Sequence, residues 1–223
     1  MFTYQHIRNE VKRRCKAQPA TMIVPWVLDY INAHLATLPP NSVIAELGTF
    51  VGGTAVLFAQ SHPSFVIHTY DINKFDNFAN SSMLQSLDKR YDLPLLNKDD
   101  IVEIQRLHLE DYPNIVMHVE DSAKITVDNL SAVLIDDNRD EHSLFELLHT
   151  IWPLLNDNGM IFADDADNPH IHNAFYKFAK IKDLELTIYS KCIKLVKTAA
   201  MSDKRQFDFK DTLLHRITIG DHV

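Results

Sequence analysis

Glycine is scarce in this chain, with five among 223 residues, and cysteine is scarcer still, at two. Cys15 and Cys192 stand far apart with no paired spacing, which excludes a disulfide framework or a zinc knuckle and fits a reducing, cytoplasmic setting. No uninterrupted apolar run approaches the roughly 20 residues of a bilayer-spanning helix, so no membrane partner is expected. Arg8, Glu10, Lys12 and Arg13 occupy the place where a secretory signal needs an apolar stretch. Basic residues fall short of acidic ones, 22 against 30, leaving a formal charge of -8 that repels phosphate backbones and disfavours nucleic acid as a partner. The local exception, Lys12-Arg13-Arg14, spreads round a helix and reads as a solvated face.

What is present describes one globular domain. Hydrophobic residues make up 46% and charged residues 23%, enough to bury a core, and the length suits a single domain better than two. Residues 4–16 and 21–36 read as helices, the second from Ile23, Val24, Val27, Leu28, Ile31 and Leu35 at helical spacing, stopped by Pro39 and Pro40. Short apolar, β-rich segments follow at 43–47, 65–70, 115–119, 132–135 and 160–163, each succeeded by a polar or helical stretch. Continuous apolar strands alternating with helices indicate a parallel sheet covered on both faces. Segments 184–189 and 192–196 are separated only by Ser190 and Lys191, too little for a parallel crossover, so they form an antiparallel hairpin. The expected fold is therefore α/β: a doubly wound, mostly parallel seven-stranded sheet with an antiparallel C-terminal hairpin. Residues 1–41 form an N-terminal helical cap, 42–198 the core and 199–223 a tail. Residues 73–97 are a long connection that reads equally as a lid or as an extra surface helix.

Three of the five glycines fall in the loop after the first strand, Glu46-Leu-Gly48-Thr49-Phe50-Val-Gly52-Gly53-Thr54. Glycine there permits positive φ and close approach of a ligand. The order is not the G-x-G-x-x-G of a pyrophosphate cradle, and Glu46 would repel a pyrophosphate while suiting a cation. S-adenosylmethionine carries an ammonium and a sulfonium and no phosphate. Gly48→Val is expected to remove such a ligand while leaving the fold. Asp71, followed by Ile72, ends the second strand 25 residues after Glu46, where an acid can accept both ribose hydroxyls, although a NAD site would use the same position. Asp121-Ser122 follows the third strand, where Asp and Ser both suit a helix N-cap.

Two acid pairs, Asp136-Asp137 and Asp164-Asp165, end the fourth and fifth strands at the sheet edge where ligands bind in open α/β folds. Carboxylates gathered there repel each other unless protons or a hard divalent ion intervene.

The first loop resembles the first motif of class I methyltransferases, particularly catechol O-methyltransferase-like ones. Ile135-Asp136 through Trp152-Pro153-Leu-Leu and Gly159 resembles a bacterial family related to macrocin O-methyltransferase. The likeness implies that Glu46, Gly48, Thr49, Phe50, Gly52, Thr54, Asp71, Ile72, Asp121, Ser122 and Asp136 line an S-adenosylmethionine site. It also implies that Asp136, Asp164 and Asp165 hold Mg2+, which would bind a substrate hydroxyl. Arg139 departs from the pattern, standing where the bacterial family has His and the catechol type a Lys base. Arg is always protonated, so it cannot be that base and is expected to hold an anionic substrate or a neighbouring acid, while His142, His170 or His172 could take the proton. The expected activity is O-methylation of a small hydroxylated acceptor, with a homodimer admitted. An NAD-dependent oxidoreductase and a catalytically silent cofactor-binding domain are the rivals.

Overall fold

The computed structural model describes residues 21–73, 98–137 and 139–198. The expected helix at 4–16, the basic triplet, Cys15, the tail and all of the 73–97 connection except Asn73 lie outside the described residues.

Helix α1 spans Pro25–Leu35 and starts later than the apolar pattern suggests. Pro25 is the reason: it sits in the first turn, where its missing N–H costs nothing and its fixed φ starts a helix. Val27, Leu28, Ile31 and Leu35 bury one face of α1 against the sheet. The chain then runs β1 (Val43–Leu47), α2 (Gly53–Ser61), β2 (Val66–Tyr70), α3 (Lys98–Leu109), β3 (Ile115–His118), β4 (Leu130–Ile135), α4 (Glu141–Ile151), β5 (Leu155–Ala163), α5 (Pro169–Lys182), β6 (Thr187–Tyr189) and β7 (Cys192–Val196).

The seven strands lie in the order β3-β2-β1-β4-β5-β7-β6. The first five are parallel, and β7 pairs antiparallel with both β5 and β6. This is the expected sheet. The first strand of the hairpin, β6, is shorter than expected because Leu184 serves the preceding helix instead: Asp183 turns left-handed at φ 54 and the Leu184 N–H donates to the Ala179 carbonyl at 2.9 Å.

Side chains alternate between two cores. Ala45, Leu47, Val133, Ile135, Ile161 and Ala163 face α4 and α5, whereas Ile44, Ala132, Leu134 and Phe162 face α1 and α2. Coverage is incomplete at one corner. The β3-to-β4 connection holds a 3-10 turn at Ser122–Lys124 and no α-helix, and Val66 and Val116 remain 36% and 40% exposed. No helix among the described residues is long and apolar enough to cross a membrane.

Candidate active site

The strand order reverses at β1, with β2 on one side and β4 on the other, and the loop after β1 opens into that crevice. The loop is fixed from three directions. The Gly48 and Thr49 N–H groups both donate to the Tyr70 carbonyl, at 2.9 and 3.2 Å. The Phe50 N–H donates to Asp71 Oδ2 at 2.8 Å, and buried Gln105 on α3 donates through Nε2 to the Phe50 carbonyl at 2.7 Å. Gly48 takes φ 102, Phe50 φ 48 and Gly52 φ 80, so the bend holds three residues at positive φ.

Gly48 is needed for a reason the sequence pattern does not reveal. It has φ 102, and a Cβ there would run into the Asp136 carbonyl. The close approach it permits is between the ends of β1 and β4, so Gly48→Val disrupts the fold itself, contrary to the expectation of an intact one. At Gly52 a Cβ would stand 2.8 Å from Leu109 Cδ2, again a contact within the protein.

Glu46 lies beneath the loop at 1% exposure. Its Oε2 accepts the Thr69 hydroxyl at 2.5 Å, and its carboxylate accepts the Ala55 N–H at the start of α2. Thr49 and Thr69 hydroxyls meet at 2.5 Å, tying the loop to β2 through the same acid. Burial pushes the Glu46 carboxyl up to about 8, helped by nearby Asp71 and opposed by its two hydrogen bonds. The Glu46 carboxyl group therefore already takes up an N–H group at the α2 N-terminus. Thr54, in the first turn of α2, is buried and its hydroxyl meets that of Thr21 at 2.8 Å.

Asp71 accepts backbone N–H groups on both oxygens, from Phe50 and, at 2.7 Å, from Asn73. It is partly exposed, and Ile72 beside it is 48% exposed. Asp121 caps the turn after β3 through the Ala123 N–H at 2.9 Å, and it also pairs with Arg139 Nη2 at 2.9 Å. Its carboxyl is held below the usual range, first by that N–H and then by the guanidinium.

Arg139 knits this corner together. Nε donates to Asp137 Oδ2 at 2.8 Å and Nη2 to Ser122 Oγ, while the Ser122 hydroxyl donates to the same Asp137 oxygen at 2.6 Å. Of the two roles expected for Arg139, the described geometry shows the binding of neighbouring acids. His142 stands apart, exposed on the first turn of α4. With His170, Asp140, Glu141, Phe145 and Lys177 it lines an open cavity of ≈ 520 Å³ between α4 and α5.

Asp136 and Asp164 do come together at the ends of β4 and β5, where the Asp164 N–H donates to the Ile135 carbonyl at 3.2 Å. Burial raises Asp136 well above the ordinary carboxylate range, and Asp164, Glu46, Asp165 and Asp137 add repulsion. Burial lifts Asp164 to about 6. The expected magnesium set is nevertheless not assembled: among the described residues, no three His, Cys, Asp or Glu side chains are grouped to hold a metal ion. Asp165 takes φ 57 and is exposed, turning off the end of the strand. Among the described residues the donor set does not fit magnesium.

Sequence reasoning missed Thr69, Gln105 and the role of Asp137. Gln105 carried no signal beyond a polar residue on an amphipathic helix, whereas Asp137 was visible as half of an acid pair.

The strand order and hairpin define the Rossmann-like fold of class I methyltransferases. Among solved structures, a methyltransferase of Geobacter sulfurreducens superposes with a TM-score of 0.57 at 11% identity, over 89% of this chain and 91% of that one. The O-methyltransferase NovP gives 0.56 at 14% identity, over 87% and 98%. An rRNA methylase of Streptococcus thermophilus gives 0.51 at 14% identity, over 81% and 100%. At such identities the likeness is one of fold, and these neighbours differ in what they methylate. No protein-family profile and no curated protein matches the chain.

Proposed function

We propose that the chain is an S-adenosylmethionine-dependent methyltransferase that transfers a methyl group to an oxygen of a small hydroxylated molecule. One observation carries the choice of cofactor. In a dinucleotide enzyme the helix after β1 turns its free N–H groups toward a pyrophosphate; here the Glu46 carboxylate occupies the start of α2 through the Ala55 N–H. A pyrophosphate would compete with this buried carboxyl for the same N–H group and drive its pKa higher still, whereas an ammonium and sulfonium would favour the ionised forms of Glu46, Asp71 and Asp136. This is the physical argument against the NAD reading.

The remaining residues take positions consistent with this ligand. The loop 48–53 offers close backbone approach to the methionine part, Asp71 stands at the ribose side, and Asp121-Ser122, clamped by Arg139, stands at the adenine side. The acceptor would enter over the ends of β4 and β5, beside Asp136 and Asp164. A small acceptor is favoured over RNA by the charge of -8 and by the acids on this edge. When bound, the cofactor supplies the electrophilic methyl group; the protein's part is to align an acceptor oxygen with it.

Calorimetry with S-adenosylhomocysteine and with NAD tests the cofactor: binding of the first alone is expected, and binding of NAD alone would overturn the reading. Methyl transfer to a panel of hydroxylated acceptors, with and without magnesium, then separates an enzyme from a silent binding domain.

A further inference from the structure

The C-terminal hairpin carries a lysine whose partner is an imidazole. Lys194 lies in the middle of β7 and is partly exposed, and its Nζ stands 2.8 Å from Nε2 of His34 on α1. The other ring nitrogen, Nδ1, is 2.9 Å from the Tyr30 carbonyl oxygen, one turn back on the same helix. A carbonyl can only accept, so Nδ1 carries the ring hydrogen of the neutral imidazole and Nε2 is left as an acceptor facing Lys194. Aromatic neighbours hold the ring in place: its centroid is 4.5 Å from that of Tyr30 and 5.8 Å from that of Phe162, and Tyr30 in turn stacks on Tyr189 at 4.4 Å. Lys194 Nζ is 5.8 Å from the centre of the Tyr30 ring. Burial lowers the Lys194 pKa below the ordinary lysine value, with Cys192 and Glu185 opposing. The groups around the pair keep their protons at neutral pH. Burial, then Cys192 and Tyr189, push the Tyr30 phenol up to about 12, and burial, then Asp164, push the enclosed Cys192 thiol up to about 12.

A partly desolvated amine, a base at hydrogen-bond distance and a third group that fixes the base make up the arrangement of an activated nucleophile. We propose that Lys194 is an acylation site whose amine attacks the carbonyl carbon of a thioester, with His34 as the base. The site does not depend on the methyltransferase reading. Lys194 reacts as the free amine, with one N–H still donating to Nε2 and the lone pair left for the electrophile. The C–N bond forms as the carbonyl π bond opens, the proton released from nitrogen passes to His34 Nε2, and collapse of the adduct breaks the C–S bond. The leaving thiolate takes that proton from the imidazolium, so amine and thioester become amide and thiol. An acyl phosphate suits the site less, because its phosphate would pair with the ammonium and hold it protonated.

The experiment treats the full chain near neutral pH with the acetyl thioester of N-acetylcysteamine, and in parallel with acetyl phosphate, and follows each lysine by peptide mapping in a mass spectrometer. Exposed Lys124 and Lys180 are the internal references. With the thioester, Lys194 is expected to react about tenfold faster than either reference, its partial burial offsetting part of what a positioned base supplies. His34→Gln is expected to slow Lys194 about a hundredfold and to leave the references unchanged. A Lys194 that reacts no faster than the references overturns the proposal. So does an unchanged Lys194 rate in His34→Gln, or faster reaction of Lys194 with acetyl phosphate than with the thioester. Should His34→Gln not fold, the comparison within the wild type decides alone.

Discussion

Replacing Glu46 by Gln should make the unliganded protein more stable at neutral pH and should flatten its pH dependence. The buried carboxyl titrates near 8 in the fold, against an ordinary value of 4.5. A carboxyl raised in this way favours the fold fully below its unfolded value, and the advantage is lost as pH climbs toward 8. Between 4.5 and pH 7 the wild type gives up about 3 kcal/mol on this one group, because the unfolded chain ionises it freely and the fold does not. Gln is isosteric and stays neutral: its amide oxygen can accept the Ala55 N–H while its NH2 donates to Thr69 Oγ, whose hydroxyl then turns to Thr49. Urea unfolding of both proteins from pH 5 to pH 8 is the assay. The variant's advantage should grow with pH by roughly 1.4 kcal/mol per unit, the signature of one proton, reaching about 3 kcal/mol at pH 7 and roughly 6 to 12 °C in Tm. Asp164, which Glu46 does not raise, slopes the same way in both proteins and cancels in the difference, whereas Asp136, which Glu46 raises, is relieved of that repulsion in the variant. An advantage that is constant across this range would refute the reasoning, since it would mean that Glu46 is already ionised in the fold at pH 5.

Gly48→Ala should cost roughly 3 kcal/mol or more, from its left-handed backbone and the collision with the Asp136 carbonyl, and a loss below 0.5 kcal/mol in urea unfolding would show that β1 and β4 can separate cheaply. Arg139→Met should weaken S-adenosylhomocysteine binding roughly tenfold by releasing Asp121 and Ser122 from Asp137, with a stability loss of about 1–3 kcal/mol; unchanged affinity in calorimetry would place the clamp outside the cofactor site. Acidification should also destabilise the β2–β3 corner, where His68 Nδ1 and His118 Nε2 share a proton at 2.9 Å. Burial and then His118 lower the His68 pKa, so its stabilising effect is complete above the ordinary histidine range and fades as pH falls. His68→Gln should remove that acid limb from amide-exchange protection of β3, and an identical limb in the variant would count against the pair.

The fold was legible because it is written in burial. A strand enclosed on both faces has to be apolar at nearly every position, as Leu130–Ile135 is, and a two-residue separation leaves a hairpin no alternative. Where a local demand competes with that pattern the reading slips, as at Pro25, which delays α1, and Leu184, which caps α5 instead of starting β6. The connection between β3 and β4 could not be foreseen, since nothing in its composition requires a helix to be missing.

The site was legible in its residues and not in their partners. Glu46, Gly48 and Asp71 were all singled out, yet each is engaged first with the protein: Glu46 with Thr69 and α2, Gly48 with the backbone of Asp136, Asp71 with Phe50 and Asn73. These contacts shape the loop before any ligand arrives. A glycine whose Cβ would strike a neighbouring strand and a glycine whose Cβ would strike a ligand leave the same letter in a sequence, because both satisfy the same steric condition. The acids differ from the glycines in this respect. A carboxylate already supplied with N–H donors has its charge screened and its orientation fixed, whereas Asp164 retains a buried oxygen with nothing to accept among the described residues. The unmet demand at Asp137 and Asp164, more than the number of acids gathered round them, makes the ends of β4 and β5 the place where a ligand would gain most by binding.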